Sequence, residues 1–362
     1  MDTYLTDLYK KQISLTEWFE AIGDPRANKL RAEDATKHDR LTILNDVIAL
    51  PFGKPQRFSG TAVAQRSTAL KAYIKVHGHE LCAIRLIPKK PDIPKLRMRG
   101  YTAKKALDWF DEQPITPSDY DVDFVPHDNA VWATIFTVTD QGIYGEVKRG
   151  KPNQLTQGLY EDEPPISFSY NFSTWYFDRE SSDAIAHIQE VVQKLLVTDT
   201  AKQKALHDKL KAMFAHNYLQ GYFETSGSDE FGIWFIDYNR LLNDLYHPLQ
   251  PTQKNNKSLV KGRTSSPGKI TGTVRIVTDK DIATALEKDD ILVCVMTTPD
   301  YLPLMQQAAG IITDLGGILS HAAIIARELK KPCITSTKNA TQILKDGQRI
   351  VLDADNGTVF LA

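Results

Sequence analysis

The run TDLGGILSHAAIIAREL, Thr313 to Leu329, constrains the fold of this chain more than any other stretch. Its adjacent glycines, Gly316 and Gly317, free the backbone for positive φ and for close approach of a ligand. Ser320 is a good N-cap, and the apolar run behind it keeps helical spacing until Pro332 stops it. His321 therefore stands in the first turn of a helix that starts directly from a flexible loop. Unpaired amides and the positive end of the helix dipole favour an anion at such a place, so an imidazole there is positioned to carry one. Neutral imidazole, with a reference pKa of about 6.5, is also a competent nucleophile. Taken alone, a histidine at a helix start is more often a capping or packing residue.

The surroundings of this run are regular. Short β-rich runs (GTVRIV, ILVCVM, GIITD, CITST, RIVLDA, GTVFLA) alternate with helical ones (DIATALEK, YLPLMQQA, HAAIIAREL, ATQILKD), which predicts an α/β domain over 262–362. The polar stretch HPLQPTQKNNKSLVK, 247–261, lacks apolar periodicity and reads as an interdomain linker. Upstream, 51–246 mixes strands such as HELCAIRLIP with the helix TAKKALDWFDEQ, and AVWATIFTVTDQGIYGEVKRG reads as a hairpin around Asp140–Gln141–Gly142. Ser182 to Leu219 carries Ile185, Ile188, Val191, Val192, Leu195 and Leu196 at helical spacing, which predicts two helices split near Thr198–Asp199–Thr200. This is an α+β pattern. Residues 1–50 read as a helical, polar segment without a stated role.

A length of 362 residues allows two or three domains. Apolar residues at 42% and charged residues at 25% fit a soluble globular chain, and no run of eighteen apolar residues exists to span a bilayer. The opening MDTYLTDLYKKQ has neither an apolar signal core nor transit-peptide character, so a cytoplasmic location is expected. A net charge of -1, from 44 basic and 45 acidic side chains, gives no field for nucleic acid or an anionic membrane. Cys82, Cys294 and Cys333 have neither disulfide nor zinc spacing and are expected to be buried small hydrophobes.

TDLGGILSHAAIIARELKKPCI resembles the swivelling phosphohistidine domain of the PEP-utilising dikinase family, which includes phosphoenolpyruvate synthase, pyruvate phosphate dikinase and rifampicin phosphotransferase. Members share Gly-Gly-x-x-Ser/Thr-His-Ala-Ala followed by Ala-Arg-Glu-Leu. The resemblance continues through SSPGKITGTVRIV (Ser265 to Val277), DILVCVMTTPDYLPLM and KDGQRIVLDADNGTVFLA, in order. It implies that His321 accepts and donates a phosphoryl group, that Gly316, Gly317 and Ser320 shape its loop, and that Arg327 supports the phosphoryl charge. Arg327 fits a surface ion pair equally well.

A histidine carrier needs a donor. In GYFETSGSDEFGIWFIDYNR, Glu224 ends one apolar strand, while alternation puts Asp237 and Asn239 on one face of the next. Three oxygen ligands aimed at one place suit Mg²⁺, which takes one or two carboxylates plus phosphates and water; a plain surface hairpin is the other reading. The arrangement resembles the end of an ATP-grasp domain, although the dikinases usually show Gln-x-Arg where this chain has Asp237-Tyr238-Asn239. GIYGEVKRG, with Glu146, resembles that family's Gly-x-Gly-Glu segment, and YDVDFVPHDNAVWATIFTV, with Asp123, resembles its hinge beside adenine. Arg85, Lys95, Arg97 and Arg99 supply cations for a triphosphate, although KLRMRG also suits a solvated loop.

The resemblance thus implies an α+β ATP-grasp-like nucleotide-binding domain followed by an α/β swivelling domain. The expected activity is ATP-dependent phosphotransfer of the dikinase type, with ATP and Mg²⁺ as cofactors. His321 would carry the group to an unidentified small-molecule or protein acceptor. Two alternatives stand beside it, a phosphocarrier subunit serving a separate acceptor protein and an ATP-grasp protein that binds nucleotide without transfer. The pyruvate-binding barrel of the larger family members and the acceptor domain of rifampicin phosphotransferase are not expected, which leaves residues 1–50, a shared cleft or another polypeptide to hold the acceptor.

Overall fold

The computed structural model describes residues 15–362, apart from 91–92, 95, 127–129, 159–162, 230–231, 244–257, 279–281 and 283–284. The chain opens with helices α1 (Leu15–Ala21), α2 (Ala27–Ala35) and α3 (Lys37–Ile48). Helix α1 buries Trp18 and Phe19 completely. Helix α3 stops where Ala49 turns left-handed, φ 56°, and its apolar stripe Leu41 and Leu44 is buried.

A small lobe follows. Strands β1 (Gln56–Ser59), β2 (Leu81–Pro88), β3 (Leu96–Thr102) and β4 (Tyr120–Pro126) form a sheet in the order β1-β4-β2-β3. Helices α4 (Gly60–Ala64), α5 (Thr68–His77) and α6 (Ala103–Asp111) join its core, where Ile84, Leu86, Val122 and Phe124 meet Val63, Leu70 and Phe110. Ser59, Ser67 and Thr102 cap these helices through side-chain oxygens, a strand-to-helix junction that is legible in sequence. With Ile84 and Leu86 turned to the helices, the pleat turns Arg85 to the opposite face.

The larger sheet has six strands in the order β12-β11-β5-β6-β7-β8. These are β5 (Trp132–Val138), β6 (Ile143–Arg149), β7 (Ile166–Tyr170), β8 (Trp175–Phe177), β11 (Gly221–Ser228) and β12 (Gly232–Asn239). The β5–β6 hairpin turns at Asp140–Gln141–Gly142 as expected, with the Thr139 amide donating to the Gly142 carbonyl. Helix α7 (Pro152–Gln157) follows β6. The amphipathic stretch splits into α8 (Ser182–Gln193) and α9 (Thr200–Leu210), the second capped by Asp199. Beyond it, Lys211 takes φ 55° and the chain forms the short ladder β9 (Phe214–Ala215) and β10 (Tyr218–Leu219), where helical spacing alone had predicted more helix. One face of the large sheet packs Phe136, Phe223, Phe235 and Tyr238 with residues of α3, α8 and α9.

The C-terminal domain holds an eight-stranded sheet in the order β13-β20-β19-β15-β16-β17-β18-β14. Its strands are β13 (Val260–Lys261), β14 (Arg263–Ser266), β15 (Lys269–Ile276), β16 (Asp290–Cys294), β17 (Gly310–Thr313), β18 (Cys333–Thr335), β19 (Arg349–Asp353) and β20 (Thr358–Leu361). Helices α10 (Leu302–Gln307), α11 (His321–Glu328) and α12 (Ala340–Ile343) complete the α/β alternation. Strands β15 to β18 run parallel, and both faces are buried: Ile291, Val293 and Ile312 go to one core, Leu292, Cys294 and Ile311 to another. Two local expectations change. Val260 and Lys261, read as linker, pair with β20, and the described residues of DIATALEK form no helix. Linker residues 247–257 fall outside the described residues.

The second of these cores does not stop at the domain boundary. It runs from Leu292, Ile311, Leu319 and Ile324 into Trp18, Phe19, Leu155, Ile135 and Tyr222. The C-terminal domain is therefore seated against α1 and one face of the large sheet. All three cysteines are free and buried, and among the described residues no helix is long and apolar enough to cross a membrane.

Candidate functional site

Two neighbouring strands bring a pair of carboxylates together. Glu224 on β11 stands opposite Asp237 on β12. Unbroken alternation would put Asp237 on the face of Phe235, in the apolar core. The pairing instead jumps from Thr225–Phe235 to Glu224–Asp237 and leaves Ile236 without a partner. This bulge turns the strand over, so that Phe235 and Tyr238 enter the core while Asp237 joins Glu224 on the other face.

Tyr222 donates its hydroxyl to Glu224 Oε1 at 2.6 Å. Burial, and then the adjacent Asp237, push the Glu224 carboxyl up to about 7. Burial raises Asp237 as well, against the pull of Lys37, whose Nζ lies 3.9 Å from Oδ2. The other oxygen of Asp237, Oδ1, is buried and accepts no hydrogen bond from the described residues. Two crowded carboxylates with a spare oxygen fit a hard divalent cation that keeps its other positions for phosphate and water. Among the described residues no group of three or more His, Cys, Asp or Glu is gathered to hold a metal. Asn239 does not complete the expected set of three. Its Oδ1 accepts from the amides of Leu241 and Leu242, at 2.9 and 3.0 Å, and closes a turn at the end of β12.

Cations reach the pair from two directions. Helix α3 begins there, and Lys37 bridges Asp34 at 3.4 Å and Asp237. The charge of Asp237 raises the Lys37 ammonium above its usual range. His38 is pushed down to about 4 by burial, then by Arg85 and Lys37, and its neutral Nε2 accepts from Arg85 Nη1 at 3.0 Å. Arg85 belongs to a cross-strand row on the small sheet, Arg57–Asp123–Arg85–Arg97. Within that row Asp123 is no ligand in waiting: it is buried and gripped by Arg57, Nε to Oδ1 at 2.6 Å and Nη2 to Oδ2 at 2.8 Å. Arg97 is exposed, and Lys95 lies outside the described residues.

The histidine loop has the geometry its sequence predicts. Ser320 caps α11, accepting from the Ala323 amide at 3.4 Å and donating to the Gly317 carbonyl at 2.8 Å. Gly316 takes φ 106°. His321 opens the helix, half-buried. Arg327 reaches back to donate to the Ile318 carbonyl, which makes it a brace on the loop.

Glu146, expected at the nucleotide, meets this loop instead. It is wholly buried on β6 and accepts from Arg263 Nη1 at 2.7 Å and from the amides of Ile318 and Leu319 at 3.3 and 3.4 Å. Burial raises its carboxyl, and Arg263 with the two amides opposes the rise. The glycines serve this approach. A Cβ on Gly317 would lie 2.4 Å from Glu146 Oε2, and one on Gly158 would lie 2.4 Å from Gly316 Cα, where the Gly316 amide donates to the Gly158 carbonyl at 3.1 Å.

Asp237, Glu224, Ile135 and Glu146 stand opposite one another in a single row across β12, β11, β5 and β6. With strands ~4.8 Å apart, Glu146 is two strands, about 10 Å, from Glu224. The loop that presents His321 is thus held on the same face as the carboxylate pair.

Lys37, His38 and Arg57 were missed by the sequence reading. Lys37 and His38 carry no local motif, and the partners that bring them to the site, Asp237 and Arg85, are far away in the chain. For Arg57 the one signal was a polar, charged start to the strand RFS.

Fold and site together define a two-part protein in which an α+β body of two antiparallel sheets is joined to an α/β domain whose helix α11 opens on His321. More particularly, residues 286–357, within the C-terminal domain, match the family described as PEP-utilising enzyme, mobile domain. Similar proteins include a probable phosphoenolpyruvate synthase of Methanothermobacter thermautotrophicus, 47% identical over 107 residues, which are 30% of this chain and 16% of that one. Another is a phosphotransferase of unassigned role from Bacillus subtilis, YvkC, 45% identical over 107 residues, 30% of this chain and 13% of that one. The chain therefore spans well under a fifth of the length of these relatives. Among solved structures, an Enzyme I fragment shares 28% identity over 22% of this chain and 33% of that chain, with a TM-score of 0.20. The macrocyclase MdnC of Microcystis aeruginosa shares 13% over 59% of this chain and 56% of that chain, with a TM-score of 0.29. At those TM-scores the likeness adds nothing to the strand orders described above.

Proposed function

We propose that this chain is an ATP-dependent phosphotransferase of the dikinase type, in which His321 takes a phosphoryl group from MgATP and passes it to an acceptor. The observation that carries the reading is the seat of the His321 loop, on the face and in the cross-strand row of the Glu224–Asp237 pair. The relatives named phosphoenolpyruvate synthase and phosphotransferase support it from the C-terminal domain alone.

Glu224 and Asp237 would hold Mg²⁺, which would supply charge neutralisation at the phosphates. Lys37 and Arg85 would add fixed positive charge on the opposite side, so that the transferring group is positioned mainly by electrostatics. Lone-pair attack by the His321 imidazole on the β-phosphorus would form the N–P bond as the P–O bond to departing AMP breaks, and water would then cleave the terminal phosphate from the pyrophosphoryl-histidine; attack on the γ-phosphorus would instead expel ADP in one step. The amides at the start of α11 and the helix dipole would favour the anion so formed. Tyr222 fixes the Glu224 carboxylate, and Arg57 keeps Asp123 from competing for the same cations.

The test uses ATP labelled in turn at the β and γ positions. An acid-labile, base-stable label on the protein, absent from His321→Ala, is expected. Label from β with AMP as product identifies dikinase chemistry, and label from γ with ADP a simpler kinase. No label on a protein that still binds MgATP would reject the phosphotransfer reading and leave nucleotide binding alone.

A further inference from the structure

We infer that Glu146 is a positioning residue that seats the His321 loop on the large sheet, with Arg263 as its counter-ion in the latch. What the seat is for rests on the phosphotransfer reading, but the seat itself does not. A fully buried carboxylate in mid-sheet needs partners, and every partner found for Glu146 belongs to the C-terminal domain: Arg263 at 2.7 Å, Ile318 N at 3.3 Å and Leu319 N at 3.4 Å. Its sequence neighbourhood supplies none of them.

Shape repeats what the hydrogen bonds say. Gly317 leaves room for the carboxylate, since a Cβ there would stand 2.4 Å from Oε2, and Gly158 leaves room for the Gly316 backbone. Arg263 extends the latch to Asp178 at 2.6 Å and to the Pro165 carbonyl, so one guanidinium gathers groups from β6, from the residue before β7 and from the residue after β8. Glu146 also fixes the register. Two successive amides on one carboxylate set both the height and the rotation of the loop, two residues ahead of His321. The place so set is two strands, about 10 Å, from Glu224.

Amide hydrogen exchange on the full chain reads the seat without nucleotide, and single-turnover labelling with ATP and Mg²⁺ reads its use. In Glu146→Ala, exchange at Ile318 and Leu319 should rise about tenfold or more, while the amides of β5 and β6 keep their protection. Gly317→Ala, which leaves Glu146 in place but fills its seat, should do the same. Glu146→Gln, which keeps an acceptor oxygen, should recover part of the protection. Labelling of His321 should slow by about tenfold or more in both alanine variants, with MgATP binding unchanged. Unchanged exchange at the loop in both alanine variants, or loss of protection throughout β5 and β6, would overturn the assignment. A wild-type protein that takes no label, in which the alanine variants still loosen the loop, would uphold the latch and reject the phosphotransfer reading.

Discussion

Glu224 is an acid held in the wrong place for its own charge. Burial and Asp237 lift it from the ordinary carboxylate range to about 7. Between the unfolded value near ~4.5 and about 7, the folded chain therefore binds a proton that the unfolded chain has released. Stability from this group is fully present below the lower value and is lost as pH rises through the upper one. Without divalent cation, the melting temperature should fall from pH 5 toward pH 8, and Glu224→Gln should flatten that slope. Added Mg²⁺ should restore the wild type at pH 8 and leave Glu224→Gln almost unmoved, as thermal denaturation would show. Lys37 opposes the rise of both carboxyls, so Lys37→Met should move their titration higher still, measurable by carboxyl carbon resonances. At this scale His321 and Ser320 were legible because a cap and its helix are local chemistry. Asn239 was misread because alternation reports a face and not the partner, here its own backbone at Leu241 and Leu242. Glu146 was assigned to the nucleotide from its motif, and only the packed structure gives it the loop.

Among elements, β12 matters most to the site, and its bulge at Ile236 is what makes the pair. Deleting Ile236, the residue without a partner, should restore strict alternation with Phe235 and Tyr238 still in the core and Asp237 still opposite Glu224. Mg²⁺-dependent nucleotide binding should therefore survive the deletion in calorimetry, whereas its loss would show that the bulge does more than turn the strand over. Helices α2 and α3 are fixed to the end of the same strand by Glu33. It is buried, pairs with Arg240 and Arg40, and accepts from the Arg240 amide at 3.0 Å, while Arg40 also donates to the Tyr238 carbonyl. Removing one member of such a network leaves buried charge uncompensated, so Glu33→Ala should cost about 3 kcal/mol in denaturant unfolding. The strands and helices of the C-terminal domain could be read from sequence because their apolar runs are short and punctuated. The N-terminal helices could be read as helices, but not as carriers of Lys37 and His38, since the contact to Asp237 joins positions 200 residues apart in the chain.

For the molecule as a whole, the apolar cluster shared by α1, the large sheet and the C-terminal domain determines where the carrier rests. Arg26 reinforces it, joining Asp24 at 2.8 Å and Glu328 on α11. Trp18 lies fully buried in that cluster, so Trp18→Ala should cost about 3–5 kcal/mol and loosen the seat, which small-angle scattering would report as a larger radius. The two-part architecture was legible from the change in pattern near residue 247; the docking was not, because an interface made of one glutamate, several glycines and a shared core leaves no periodic trace in sequence.

The central claim is that His321 is presented to whatever the Glu224–Asp237 pair holds. Paramagnetic broadening by Mn²⁺ with a non-hydrolysable ATP analogue, read on histidine ring resonances, tests it most directly. The account predicts strong broadening of His38 and His321, with His77 and His207, which lie behind the two sheets, remaining sharp. Broadening of His38 with His321 left sharp would contradict it.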